Sequence, residues 1–399
     1  MNESKKHQKI VFFFTINGIG GVQNLFLNII KELYKKNIEV KLIYYADSWL
    51  TRELDNNHIQ YELFDLNSDK IERVSSFVNP DDILITTMFT AQLYYLYKIN
   101  PYFLFWNVFP TTLIVDSKSR LVRIKKIFLK YVIFSMQKNN GLIFMDDIGA
   151  ETIRQAYNIN KTFDYLPIPI EIILEEVGNV DFKIKSSKKI IEISYIGRAQ
   201  NWKVNPVKKL MEDLKIIEKK LNKTFCLHII TDNPEEFGIL LECNVKNHVK
   251  IQYHTNLFGE NLRKFLQDRI LINFAMGMSC LESASIGLPS ILLDACFTSY
   301  PVDYKYRWIF ETKGYSLGEI VNENDRTMGK DLLKIFEEIL SSDIYIKDIS
   351  NKCFTYVRQN HNLNIVADDF LAYAKLCKNK LKPCLRNSLR YIKYRFGIL

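Results

Sequence analysis

Arg198 and Lys203 stand a short loop apart in the run Tyr195-Ile196-Gly197-Arg198-Ala199-Gln200-Asn201-Trp202-Lys203. A β-rich segment, Ile190–Ile196, precedes them, and apolar residues at Val207, Leu210 and Leu214 follow at helical spacing. Two cations at the C-terminal end of a strand lie where open α/β sheets bind ligands. There they would neutralise the charge that develops on a departing diphosphate. The plainer reading is a pair of solvated surface cations, which are common.

The second candidate is the stretch Met276–Ser290, in which Glu282 is the only charge. Small residues around it let a short helix approach its neighbours closely. A carboxylate in that place accepts two hydrogen bonds from a ribose diol. The competing reading is a capping box, since Ser279-x-x-Glu282 has the right spacing for one. The third candidate is the loop Gly18-Ile19-Gly20-Gly21, between a β-rich run and a helical pattern. Such a loop turns backbone N–H groups and the positive end of a helix towards an anion, or is simply a tight turn.

These residues need elements to hold them, and the chain supplies two α/β series. In the first, strands are expected at Lys9–Ile16, Glu39–Tyr45, Ile83–Thr87, Phe103–Val108 and Gly141–Met145, with a helix on Val22, Leu25, Phe26, Ile29, Ile30 and Leu33. In the second they are expected at Ile190–Ile196, Cys226–Thr231, Val249–Tyr253, Ile270–Phe274 and Ser290–Leu293. The prolines of Tyr165–Ile170 and the charged stretch to Lys189 read as a linker. The fold class is therefore α/β, with two Rossmann-like doubly wound domains. The expected bounds are 1–172, 186–370 and a basic amphipathic tail at 371–399. A length of 399 residues suits two cores better than one.

The three candidates, in this order and spacing, resemble glycosyltransferases of the GT-B fold, particularly the retaining family-four group of bacterial cell-surface polysaccharide enzymes. The likeness runs from about Ile10 to Leu293 and rests on Gly20-Gly21, Gly197-Arg198…Lys203 and Glu282-Ser283-Ala284-Ser285-Ile286-Gly287-Leu288-Pro289. It implies two domains facing across a cleft and a nucleotide-diphosphate sugar as donor. It also implies that Arg198, Lys203, Gly20 and Gly21 hold the diphosphate. Glu282 would hold the ribose, with Gly277, Met278 and Ser279 beside the nucleotide. The chain departs from the pattern in three places. Phe274 stands where an earlier glutamate would meet the sugar, Gln23 replaces an acid, and Asn107 stands near the place of a histidine. The catalytic residue is left unassigned, with Asn107 the one candidate.

Charge points to a second partner. Seven Lys or Arg and no acid lie between Ser117 and Met145, and eight basic residues without an acid lie from Leu371 to the end. On a helical wheel of Lys118–Phe134, Leu121, Ile124, Phe128 and Val132 share one side, with Arg123, Lys126 and Lys130 opposite. Arg386, Arg390 and Lys393 alternate with apolar residues in the tail. These are the expected contacts with an anionic membrane surface, though an ordinary core-facing helix would look similar. No apolar run reaches the roughly 20 residues of a bilayer span. The expectation is thus a cytoplasmic protein, peripheral on the inner face of the cell membrane, that glycosylates a lipid-linked oligosaccharide or a lipopolysaccharide or capsule precursor. A non-catalytic GT-B subunit and a sugar-nucleotide epimerase are the alternatives. Nucleic acid is not expected as a partner, since no recognisable module accompanies the net charge of +9. Scattered cysteines without C-x-x-C, and the lack of any D-x-D triplet, give no reason to expect a metal or other cofactor.

Overall fold

The computed structural model describes residues 8–18, 20–114, 122–173, 180–242 and 249–384. The chain divides into two compact units, Met1–Pro169 with Leu363–Leu399, and Ile170–Asn362.

The first unit is built on a parallel sheet of β1 (Ile10–Phe13), β2 (Val40–Tyr44), β3 (Glu62–Asp65), β4 (Ile83–Thr86), β5 (Tyr102–Asn107) and β6 (Leu142–Phe144), in the order β3-β2-β1-β4-β5-β6. β1 is apolar at every position because helices cover both faces of the sheet. Ile10 and Phe12 join one core cluster, while Val11 and Phe13 join the other. The helix Gly21–Lys35 buries Val22, Leu25, Phe26, Ile29, Ile30 and Leu33, the residues its spacing singled out. β3 has no apolar run to mark it, because at the sheet edge only Phe64 of its four residues is buried.

The second unit repeats the plan with β7 (Ile190–Ile196), β8 (Thr224–Ile230), β9 (Lys250–His254), β10 (Ile272–Ala275), β11 (Ser290–Leu292) and β12 (Arg307–Trp308), in the order β12-β11-β10-β7-β8-β9. All neighbours are parallel except β11 and β12. β1 and β7 hold equivalent places: each has the next strand on one side and a later one on the other. Each sheet therefore reverses its winding beside that strand, and such a switch point opens a crevice at the C-terminal strand ends. The loops holding Gly18–Gly21 and Arg198 leave from there.

Two expectations about organisation are corrected. Part of the expected linker is a helix, Phe182–Ser187, whose N-cap Asp181 accepts from Ile184 N at 3.1 Å and which buries Phe182. The second domain does not extend to residue 370, and no separate tail begins at 371. The helix Leu363–Leu376 belongs to the first unit, where Phe370 stacks on Phe12 at 6.0 Å and on Trp106 at 5.8 Å. Its stripe of Leu363, Val366, Phe370 and Ala374 needs an apolar face to cover, and the β1–β5 face supplies one. The chain then continues against β5: Phe103 N donates to Asn379 O at 2.8 Å, and Asn379 Nδ2 donates to Phe103 O at 2.7 Å. Leu381 and Cys384 are fully buried. The described part of the expected membrane tail thus anchors in the core through Asn379, Leu381 and Cys384, with Lys378 and Lys382 exposed. Arg386, Arg390 and Lys393 lie outside the described residues.

Candidate functional site

The G-R motif is shaped by Tyr195. A Cβ on Gly197 would lie 2.3 Å from the Tyr195 hydroxyl oxygen, so only glycine fits beneath that ring. The Tyr195 hydroxyl in turn donates to Lys203 O at 3.0 Å, which ties the end of β7 to the first turn of the helix Asn201–Leu221. Arg198 is exposed on the loop between them. Lys203 is half-buried, and burial together with the Arg198 charge pulls its ammonium down to about 8. Among the described residues neither side chain makes an ion pair. Two cations pressing on one another at a sheet edge have the character of an anion site, because a bound anion relieves both the repulsion and the desolvation. The helix start adds to it, since Gln200 gives no side-chain cap and the first N–H groups lack intrahelical partners.

On the other side of the switch point, β10 leads through Gly277 into the helix Met278–Ser285. Gly277 is the N-cap, with φ at +67°, a conformation that favours glycine. No side chain caps this helix, and Ser279 lies within it rather than ahead of it. The capping-box reading of Glu282 therefore fails. The residue as a whole keeps some exposure, but its carboxyl is buried, and burial pushes it up to about 7 against the opposing pull of Arg263. Arg263, on the helix Gly259–Arg269, had no motif to mark it in the sequence. A buried polar chain fastens the short helix to the sheet. Ser194 Oγ donates to Asn273 Oδ1 at 2.7 Å, Asn273 Nδ2 donates to Ser283 Oγ at 2.8 Å, and Ser283 Oγ lies 2.8 Å from Ser290 Oγ. A fully satisfied network of this kind fixes orientation, here that of the turn bearing Glu282. Phe274 is wholly buried and meets Tyr306 edge-on at 6.2 Å, so the strand carries core where the family pattern would place a sugar-binding acid.

The first unit's edge is different in kind. Gly18 has φ at +122°, and Gly20 is the extended N-cap of the helix Gly21–Lys35, again without a side-chain cap. A Cβ on Gly21 would meet nothing within 4 Å, so the backbone there faces open space. The replacement for the expected acid, Gln23, is buried and donates to Ile16 O at 3.0 Å, pinning the loop. Asn17, Gly18, Asp47, Ser48, Trp49 and Arg52 line an open pocket of about 390 Å³ beside it.

Asn107 closes β5 with its Oδ1 accepting from Phe109 N at 3.2 Å, while its Nδ2 is buried without a partner. Close by is a residue that sequence reading missed, Asp146. It caps the helix Asp147–Tyr157 by accepting from Gly149 N at 2.9 Å, and burial pushes its carboxyl up to about 6. An aspartate ahead of a helical pattern was the available signal.

The basic helix spans Val122–Lys138. Val132, Ile133 and Met136 are buried, so at Val132 the apolar side expected to meet a membrane packs into the first unit's core instead. The exposed face differs from the wheel: Ile127 and Tyr131 stand out at 68% and 62% exposure, one turn apart, with Lys126 exposed beside them. Lys130 is half-buried and donates weakly to Asn158 O at 3.4 Å. The side chain of Arg123 lies outside the described residues. Among the described residues no helix is long and apolar enough to cross a membrane.

No family model matches the sequence, and neither does any curated protein. Solved structures do match. A glycosyltransferase from Rickettsia africae ESF-5 aligns over 94% of this chain and 100% of its own, at 16% identity and a TM-score of 0.62. Alr3699/HepE of Anabaena, solved with UDP and glucose, aligns over 92% and 99% at 12% identity and 0.55. WaaG, a glycosyltransferase involved in lipopolysaccharide biosynthesis, aligns over 92% and 99% at 12% identity and 0.53. The chain has the GT-B fold. Within that fold Arg198, Lys203, Gly277, Met278, Ser279 and Glu282 all come from the loops and helices that follow the strands flanking the switch point of the second sheet. Gly20 and Gly21 occupy the matching loop of the first.

Proposed function

We propose that this GT-B protein is a glycosyltransferase that moves a sugar from a nucleotide-diphosphate sugar to a lipid-linked oligosaccharide or a lipopolysaccharide or capsule precursor, with retention of configuration. The observation that carries the reading is the pairing, around one switch point, of two mutually repelling cations with a carboxylate of raised affinity for protons. Arg198 and Lys203 bind the diphosphate and stabilise it as it leaves, and Glu282 accepts from the ribose hydroxyls. These groups need no metal to balance the diphosphate, so transfer is expected to survive chelation. The Anabaena neighbour's UDP and glucose support the donor class, and WaaG's place in lipopolysaccharide biosynthesis supports the acceptor class.

The acceptor's carrier brings the membrane into the proposal. Ile127 and Tyr131, with Lys126 and Lys130 on neighbouring turns, form an apolar and basic face suited to an anionic leaflet. Changing both lysines to Gln is expected to weaken liposome binding by about 2 kcal/mol, at roughly 1 kcal/mol per cation. Unchanged co-sedimentation with anionic vesicles would make this an ordinary structural helix.

Phe274 favours a second reading, a non-catalytic subunit that stabilises a partner enzyme, because a buried phenylalanine cannot contact a sugar hydroxyl. A thermal-shift screen of nucleotide sugars, followed by radiolabelled transfer to a lipid extract, separates the two. The enzyme gives a donor hit and labelled lipid; the subunit gives no labelled lipid.

A further inference from the structure

Next to the paired cations is an aromatic pair that the donor reading has not used. Phe297 is 63% exposed and stacks on Trp202, with ring centroids 5.8 Å apart and planes inclined by 25°. Lys203 Nζ lies 5.0 Å from the Trp202 ring centroid. The pair is built by a proline. Pro206 sits inside the helix Asn201–Leu221 and lacks the N–H that would bond to the carbonyl one turn earlier, that of Trp202. That carbonyl accepts from Cys296 N at 3.3 Å instead. Asn205 Nδ2 adds bonds to Cys296 O at 2.9 Å and Thr298 O at 3.1 Å. The loop after β11 is thereby drawn across to the helix that follows β7, and Phe297 is held out over Trp202.

The geometry points to a shelf: we propose that Phe297, backed by Trp202, stacks against the transferred sugar ring of the donor. This rests on the reading of Arg198 and Lys203 as diphosphate ligands. A diphosphate joins only two ring systems, the nucleoside and the sugar. With Glu282 taking the ribose, the base joined to that ribose lies at the same end of the diphosphate, and the ring at the other end, left to meet an aromatic face beside Lys203, is the sugar. Such a face grips a pyranose through its C–H edges and excludes water, which suits a site whose strand offers the buried Phe274 in place of a carboxylate. The substrate class is then a hexose with one continuous apolar face, recognised by shape and burial more than by charge.

The test compares UDP with UDP-glucose, and GDP with GDP-mannose, by calorimetry on the full chain. Phe297→Ala is expected to weaken the sugar nucleotide about five- to tenfold, the scale of a lost aromatic contact, and to leave the bare diphosphate within about twofold. Phe297→Tyr should restore the difference. Because the side chain is exposed, neither change threatens the fold. Equal weakening of diphosphate and sugar nucleotide would assign the shelf to the nucleoside and overturn the proposal, as would no change in either. Failure of the wild type to bind any of the four sinks the donor reading itself, and the shelf with it.

Discussion

The two sheets share a winding order and a glycine-bearing loop beside the first strand, yet their C-terminal edges differ in charge. The second unit gathers Arg198, Lys203 and Glu282, and two of these groups are held far from their usual proton affinity. The first presents Asn17, two glycines, a buried Gln23, the pair Asn107 and Asp146, and an Arg52 already paired with Asp47 at 3.1 Å. An edge that keeps cations unpaired at a cost in repulsion is suited to an anion. An edge whose one cation among the described residues is already paired, set among amides and open backbone, is better suited to neutral hydroxyls. One winding plan can thus carry two different edges, and the side chains leaving the strand ends make the difference.

The largest expected effect tests whether anion binding resides in the second unit. Arg198→Ala and Lys203→Ala should each cost at least about tenfold in affinity for a nucleotide-diphosphate sugar, and the double change about a hundredfold. Thermal melting without ligand should hold, because each change removes a charge that its neighbour repels. Affinity should also weaken as pH rises through about 8, where Lys203 gives up its proton. A double variant that binds normally would break the comparison and send the search to the first unit's glycine loop.

A smaller effect is expected at Glu282. Its carboxyl lies at about 7 in the fold against 4.5 ordinarily, so the folded state holds a proton over that window that the unfolded state releases. Stability from this group is full below about 4.5 and is lost as pH rises through 7. Glu282→Gln should therefore melt at or above wild type at pH 8 while binding nucleotide about tenfold more weakly, having given up a charged acceptor. A variant that loses stability and keeps its affinity would reinstate a structural role for the residue.

Much of this was legible in the chain, and the gaps have physical causes. Buried parallel strands announce themselves as largely apolar runs, so β1, β2, β4 through β8, β10 and β11 were within reach, and the more exposed β9 was placed by its neighbours in the series. β12 has two residues and no pattern to show. Glu282 could be singled out, but its rival role as a cap was settled only by where the helix begins, one turn being too short for spacing to decide. The return of Leu363–Leu376 to the first unit is a fact about which core its stripe covers, and a stripe does not name its partner. The aromatic shelf was invisible because Trp202 and Phe297 are far apart in sequence and meet through a carbonyl that Pro206 leaves free.

The smallest effect concerns Asp146, and it contrasts the acid responses of the two units. Burial holds its carboxyl at about 6 against an ordinary 3.8, so its contribution is full below about 3.8 and lost as pH rises through 6. His228 in the second unit runs the other way. Burial and the Arg269 charge lower it to about 4 from 6.5, so the unfolded chain takes up the proton first, and stability falls as pH drops through that window. Asp146→Asn keeps an N-cap acceptor for Gly149 N, whereas Asp146→Ala removes it at a cost of about 1 kcal/mol. Melting curves at pH 4, 6 and 8 should show Asn gaining on wild type as pH rises, with Ala below Asn by a constant margin. Coincidence of Asn with wild type at all three pH values would mean the carboxyl titrates normally, and the first unit's edge would then carry an ordinary anion after all. Coincidence of Ala with Asn would mean that the cap contributes nothing and that Asp146 is retained at that edge for a reason other than its helix.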